Sequence, residues 1–275
     1  MAGTLYVVAT PLGNLSDLSQ RAGEVLRSAQ LVAAEDTRRA RTLLAHVGAK
    51  PRVFSYHAHS SERRLRELVS ELESGTDVIL ITDAGTPAIS DPGRELVSKA
   101  RASGARVVPI PGPSAVATAL SASGLPADKY TFLGFLPRKG KERRLRLQEI
   151  AASPWTVVVF EAANRLVRLL TDLTAHCGAE RGAVVARELT KLHEEIRPGN
   201  LDELRVYYEE REPRGEVTVL ISAAPRETTE FDAASVELRA RVLLQEGVTR
   251  RDVADQLAEE FSMPRRDAYR LVTGL

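Results

Sequence analysis

Val78-Ile79-Leu80-Ile81-Thr82-Asp83-Ala84-Gly85-Thr86-Pro87-Ala88-Ile89-Ser90-Asp91-Pro92-Gly93 is the stretch on which the fold turns. Val78 to Ile81 is a short aliphatic run, the composition of a strand buried on both faces, as in a parallel sheet. It breaks into polar and turn-forming residues. Gly85 permits a positive φ and close approach of a ligand to the backbone, and Ser90 or Asp91 is placed to cap a helix starting near Pro92. Ligands of parallel sheets bind beyond the carboxyl ends of the strands. The segment therefore reads either as a binding loop or as an ordinary strand-to-helix connection.

Working outward, strands and helices alternate. Leu5 to Ala9 reads as a strand, then a helix capped by Ser16 or Asp17 runs to about Ala29. The strand Leu31 to Ala34 ends in Glu35-Asp36-Thr37-Arg38, followed by a helix to Val47. After a weak strand at Val53 to Tyr56 and a helix from Ser61 to Ser74 comes the opening stretch. A strand at Val107 to Ile110 then leads into Pro111-Gly112-Pro113-Ser114-Ala115 and a helix of small residues suited to close packing on a sheet. The alternation predicts a parallel α/β sheet up to about residue 120. Further strands are predicted at Tyr130 to Phe135, Trp155 to Phe160, Gly182 to Ala186 and Val217 to Ser222. Pro198-Gly199 reads as a turn, Pro225 to Phe231 as a linker, and Ala234 to Leu275 as three helices. The last two helices, joined around Ser262 and Met263, have the outline of a helix-turn-helix. With acid and base in balance and no net basic face, the module reads as a packing unit rather than a DNA reader.

Composition narrows the function. The 275 residues are 43% hydrophobic and 27% charged, with a net charge of +1, so nucleic-acid binding needs a local patch rather than a polycationic surface. One is available: Arg138, Lys139, Lys141, Arg143, Arg144 and Arg146 crowd together, either as a solvated helix face or as a contact for RNA phosphate. The single cysteine, Cys177, excludes an intrachain disulfide and reads as a small apolar filler. Met1 to Tyr6 lack the pattern of a signal peptide, and no apolar stretch is long enough for a membrane span, so a cytoplasmic location is expected. There is no G-x-G-x-x-G after the first strand, no Walker sequence, no G-x-S-x-G elbow and no Cys/His cluster with zinc spacing. His57-x-His59 reads as surface or substrate contact, and no metal is expected. The residues alone give an α/β protein with a crevice for a charged, polar small molecule.

A resemblance goes further. Val8-Ala9-Thr10-Pro11-Leu12-Gly13-Asn14-Leu15, Ala34-Glu35-Asp36-Thr37-Arg38, Asp83 to Gly93, Pro109 to Ala115, Gly134-Phe135-Leu136-Pro137-Arg138-Lys139 and Arg187-Glu188-Leu189-Thr190-Lys191-Leu192-His193-Glu194-Glu195 resemble, in collinear order, the ribosomal RNA small subunit methyltransferase I family of the tetrapyrrole-methylase superfamily. The resemblance spans about residues 4 to 222, and the helical tail is similar to the family's C-terminal extension. The chain departs from the family's usual Glu-Ser-Pro-His-Arg, carrying Glu161-Ala162-Ala163-Asn164-Arg165 instead. The resemblance implies two α/β domains (1–120 and 121–225) with a cofactor cleft between them, a helical extension (226–275) and a homodimer.

The implied reaction moves a methyl group from S-adenosyl-L-methionine to the 2′-oxygen of a cytidine in the decoding centre of 16S rRNA in the 30S subunit. Motif matching implies cofactor contacts at Pro11, Ala84, Gly85, Thr86, Ile89, Ser114, Ala115, Glu161 and Leu189. The 2′-hydroxyl needs a base or a stabiliser of the developing alkoxide. On this reading Asp36 or Glu161 is the base or orients the hydroxyl, and Arg187 and Lys191 hold phosphate or the oxyanion. Arg38 pairs with RNA or with Asp36, and Arg138, Lys139, Lys141, Arg143 and Arg144 bind RNA. C-methylation of a tetrapyrrole by the same fold is the first rival, and a non-enzymatic nucleic-acid-binding protein is the second.

Overall fold

The computed structural model describes residues 2–225, 233–261 and 263–275, so most of the expected linker and Ser262 of the expected turn lie outside the described residues. The chain forms two compact units, Met1–Ala224 and Pro225–Leu275.

The first half of the larger unit runs β1 (Thr4–Val8), α1 (Gln20–Arg27), β2 (Leu31–Ala34), α2 (Thr37–His46), β3 (Arg52–Ser55), α3 (Glu62–Glu73), β4 (Val78–Ile81), α4 (Arg94–Ala102), β5 (Arg106–Ile110) and α5 (Ala115–Ser123). Its five strands form one sheet in the order β3-β2-β4-β1-β5, every pairing parallel. All four residues of β4 are buried, as the aliphatic run predicts. Val78 and Leu80 meet Leu65, Leu68 and Leu72 of α3 and Leu96 of α4. Ile79 and Ile81 meet Ala22 and Leu26 of α1 and Leu43 and Leu44 of α2 on the other face. Successive strand residues point to opposite faces, so a strand clad by helices on both sides has to be apolar throughout.

The second half runs β6 (Tyr130–Phe135), α6 (Gly140–Ala152), β7 (Thr156–Ala162), α7 (Leu166–Cys177), β8 (Gly182–Arg187), β9 (Glu195–Asn200), α8 (Leu201–Glu210) and β10 (Glu216–Ile221). The sheet order is β6-β7-β10-β8-β9. Only β6 and β7 pair in parallel; the other pairings are antiparallel. α6, α7 and α8 cover one face through Leu147, Ile150, Leu169, Leu173 and Leu204. On the other face Val158, Val184 and Leu220 receive Val116, Ala119 and Leu120 of α5. The small-residue helix thus packs on the second sheet and ties the two halves of this unit together.

Three local expectations are corrected. Pro198 and Gly199 do not turn the chain but lie in β9, where Pro198 is exposed on the sheet's edge strand. Only edge positions spare a proline the ladder donor it lacks. Ser19 caps α1, ahead of which Leu15–Asp17 is a 3-10 turn. Neither Ser90 nor Asp91 caps α4; Gly93 precedes it with φ 142° and no side-chain cap. Cys177 packs partly buried against the core of the second half.

The smaller unit holds α9 (Ala233–Gln245), α10 (Arg250–Glu260) and α11 (Arg265–Thr273). Their common core contains Val236, Leu243, Val253, Leu257, Ala268 and Val272. On α11, Arg265 pairs with Asp255 and Arg270 with Asp267. No helix among the described residues is long and apolar enough to cross a membrane.

Candidate active site

At the carboxyl ends of β1 and β4 two loops are stitched together. Thr10 and Gly85 exchange both backbone hydrogen bonds, each 2.9 Å, and Thr10 Oγ1 donates to Thr82 O at 3.0 Å. Gly85 takes φ +79°, a conformation that residues with a side chain rarely adopt. Thr86 Oγ1 donates to Pro113 O at 3.2 Å, drawing in the loop before α5, which Ser114 caps. Ala88 and Ser90 hold φ of 67° and 60°, conformations that non-glycine residues adopt at a cost and that gather at ligand sites.

These loops line a cavity of about 760 Å³, closed on its other side by Phe135, Phe160, Glu161, Leu189 and the start of β10. That volume suits a ligand of nucleoside or drug size. Ala84, Gly85, Thr86, Ile89, Ser114, Ala115, Glu161 and Leu189 all line it. Pro11 lies instead in an adjoining cavity of about 360 Å³ that also contains Asp36 and Lys191. Leu12, Arg39, Asp83 and Glu216 are common to both.

Besides Glu161, four carboxylates converge on the larger cavity: Glu35, Asp83, Asp91 and Glu216. Thr82 Oγ1 donates to Glu35 at 3.0 Å, and the Asp36 amide donates to Asp83 at 3.0 Å. Arg39 stands 3.7 Å from Asp83, and Lys191 Nζ lies 3.1 Å from Glu216. Asp91 has no ion pair among the described residues. Burial pushes its pKa up to about 6, with the charges of Glu35, Asp83 and Glu216 adding to the rise and a hydrogen bond from Thr82 opposing it. None of these acids was singled out from the sequence as a site residue. Asp91 read as a cap, and two of the acids around it, Glu35 and Glu216, come from distant segments.

The expected catalytic residues are less united. Asp36 caps α2 and accepts from the Arg38 amide at 2.8 Å and from Arg38 Nη2 at 2.7 Å. The Arg38 hydrogen bonds hold its carboxyl far below the carboxylate range. A carboxylate so committed is a weak base. Glu161 is buried against Arg165, with which it forms an ion pair, and it accepts from the Ala162 amide at 2.9 Å. Burial works against the charge of Lys191, but hydrogen bonds to Glu188 and Glu216 outweigh it and keep the ammonium above its ordinary value. Arg187 is not brought to either cavity. It binds Glu195 at 3.0 Å and lines a third cavity with Tyr207 and Tyr208.

Of the expected RNA contacts, Arg138, Lys139, Lys141 and Arg144 are exposed at the entry to α6. Arg38 is 86% exposed but engaged by Asp36. Arg143 is a correction. It is buried, donating through Nε and Nη2 to Asp172 Oδ2 at 2.9 and 2.7 Å and through Nη1 to Pro137 O at 3.0 Å. Its place at the i, i+4, i+7 positions with Leu147 and Ile150 puts it on the inner face of α6. No group of three or more His, Cys, Asp or Glu side chains among the described residues is arranged to hold a metal ion.

Residues 4–205 match the family model of Tetrapyrrole (Corrin/Porphyrin) Methylases. A relative from Synechocystis, named ribosomal RNA small subunit methyltransferase I, is 43% identical over 270 residues, covering 98% of this chain and 97% of its own. One of the same name from Pseudomonas aeruginosa is 47% identical, covering 88% and 87%. The chain belongs to the ribosomal RNA small subunit methyltransferase I family. As a member of that family it is a methyltransferase. The family's architecture extends to uroporphyrin-III C-methyl transferase from Thermus thermophilus, solved in complex with S-adenyl homocysteine. That structure superposes with a TM-score of 0.58 at 21% identity, covering 80% of this chain and 97% of its own. It shares the fold.

Proposed function

We propose that this protein methylates the 2′-oxygen of a cytidine ribose in the decoding centre of 16S rRNA, within the 30S subunit, using S-adenosyl-L-methionine. The observation that carries the reading is the lining of the larger cavity. Backbone-rich loops and apolar side chains (Leu12, Ile89, Val116, Phe160, Leu189) suit a nucleoside, and four converging carboxylates suit a ligand that is also a cation. S-adenosyl-L-methionine joins those two properties, so the residues present fit it. The name the relatives carry supports ribosomal RNA of the small subunit as the acceptor.

On this reading Ala84, Gly85, Thr86, Ile89, Ser114, Ala115, Glu161 and Leu189 hold the donor, with Pro11 shaping the neighbouring wall. When bound, the donor supplies a methyl group already activated on a sulfonium, so positioning contributes much of the rate. Asp91 takes the proton of the ribose hydroxyl, since a carboxylate with a pKa of about 6 is a far better base near neutral pH than its paired neighbours. Lys191 steadies the developing negative charge from the adjoining cavity. Glu161 and Arg165 brace the cavity floor, and Arg38, Arg138, Lys139, Lys141 and Arg144 engage phosphate. Arg187 organises the segment before Lys191. Residues 1–120 and 121–225 act as two domains around the donor, 226–275 as an extension, and the enzyme works as a cytoplasmic homodimer.

The test is methyl transfer from labelled donor to 30S subunits lacking the modification, with mapping of the labelled nucleotide. Label on one cytidine ribose is the expected result. Donor binding without label on 30S subunits or free 16S RNA, and label instead on a tetrapyrrole, overturns it.

A further inference from the structure

We propose that Phe135 is the stacking platform for the nucleobase of the acceptor nucleotide, received as an unpaired base; this rests on the RNA reading above. Phe135 ends β6, lines the larger cavity, and is nevertheless 55% exposed. A phenyl ring half exposed at a cavity mouth offers a flat apolar face to a ligand.

Its aim is produced by a local device. The β6–β7 register shifts between Phe132 and Gly134, so Leu133 is an extra residue. In an unbroken strand Phe132 and Phe135, three apart, would point to opposite faces. Here both meet the same ring. Phe132 lies 4.9 Å and Phe135 5.6 Å from Phe160, each edge-to-face. Leu133 packs instead against the core beneath α6 and α7. The bulge therefore turns Phe135 from that core to the cavity side, as bulges beside active sites do. Gly134 takes φ +62° at this point and sits so close to the strained loop of Ser90 that a Cβ would collide with Ser90 Oγ. Phe135 is thus held at the cavity rim against Phe160, with about half of it exposed.

The chemistry beyond the ring selects its occupant. Buried Leu136 anchors the chain, and the next residues present exposed Arg138, Lys139, Lys141 and Arg144. None of the four has an ion pair among the described residues. An exposed aromatic followed by unneutralised cations is the pattern that binds a splayed-out base together with its phosphates.

The test compares wild type, Phe135→Leu and Phe135→Trp in steady-state methyl transfer to unmodified 30S subunits. Donor affinity, melting temperature and molecular mass in solution are measured alongside. Leucine supplies apolar bulk but no π face. We expect Phe135→Leu to raise the KM for RNA roughly tenfold to a hundredfold, on the scale of base–aromatic stacking. Its kcat, donor affinity and mass should match wild type, and Phe135→Trp should restore the KM. An unchanged KM in Phe135→Leu, while wild type labels RNA, overturns the proposal and leaves the broader reading intact. Weakened donor binding assigns the ring to the donor, and a fall in mass assigns it to a subunit interface; either overturns it. Wild type that labels no RNA removes the reading beneath both.

Discussion

Arg143 and Arg144 are neighbours in a basic run, and replacing them one at a time should give opposite phenotypes. Arg143→Ala strands Asp172 and leaves Pro137 O without its donor. Removing one partner of a buried ion pair costs about 3–5 kcal/mol. Because the Asp172 side chain is 31% exposed, water rescues part of its charge, and the low end, about 3 kcal/mol, is expected. For a unit of this size each kcal/mol moves the melting point by roughly 2–4 °C, so Arg143→Ala should melt about 6–12 °C lower. Arg144→Ala removes an exposed charge with no ion pair among the described residues, so its melting point should be unchanged. Its RNA affinity should fall, and the slope of log affinity against log salt should shrink by about 0.7, the value for one single-strand phosphate contact. Thermal melts by circular dichroism and filter binding across a salt series measure both. A stable Arg143→Ala with weakened RNA binding, or an Arg144→Ala with unaltered affinity and slope, refutes the division of labour along α6.

Asp91→Asn should lower the methylation rate by about 10²–10⁴-fold, and the wild-type rate should rise with pH through about 6 and level off above it. The raised pKa of Asp91 means that its stabilising contribution is present below the ordinary carboxylate range and is lost as pH rises through about 6. Asp91→Asn should therefore melt higher than wild type at pH 8 and alike at about pH 3.5, below the ordinary carboxylate pKa; the reverse order would refute the burial of that charge. Asp36→Asn keeps a capping oxygen for α2, so its melting point should stay close to that of wild type, and its pH–rate midpoint should be unchanged. A lost midpoint would return the proton to Asp36. Gly134→Ala, with φ +62° and Ser90 in the way, should destabilise by at least about 1–2 kcal/mol in a chemical denaturation curve.

The parts of the fold that rest on periodicity were legible. β4 reads as doubly buried because both its faces are aliphatic, and α3 reads as a helix because Leu65, Leu68 and Leu72 recur on one side. β9 was not legible, since Pro198-Gly199 carries turn chemistry and only the edge position, set by strands elsewhere, makes it tolerable. The same limit applies at the site. Loop motifs point to the cavity wall, whose residues are contiguous in sequence. The environment of Asp91 is assembled from Glu35, Asp83 and Glu216, and no local pattern reveals that they converge. Counting the charges of the basic run likewise conceals that Arg143 faces inward while Arg144 faces out. The turn of Phe135 depends on one inserted residue in β6, visible only once its register with β7 is known.

The position of β1 has a kinetic consequence. It lies between β4 and β5, pairing Leu5 with Val78 and with Val107, so neither neighbour follows it closely along the chain. The sheet's centre can form only by closing long loops, a step that folds slowly compared with helices meeting their sequence neighbours. During synthesis β1 waits for β4, its apolar side chains in need of temporary cover. The hydrogen bonds between Thr10 and Gly85 span that same closure. Ligand binding at the cavity should accordingly be among the last properties to appear on refolding, well after helical signal is regained.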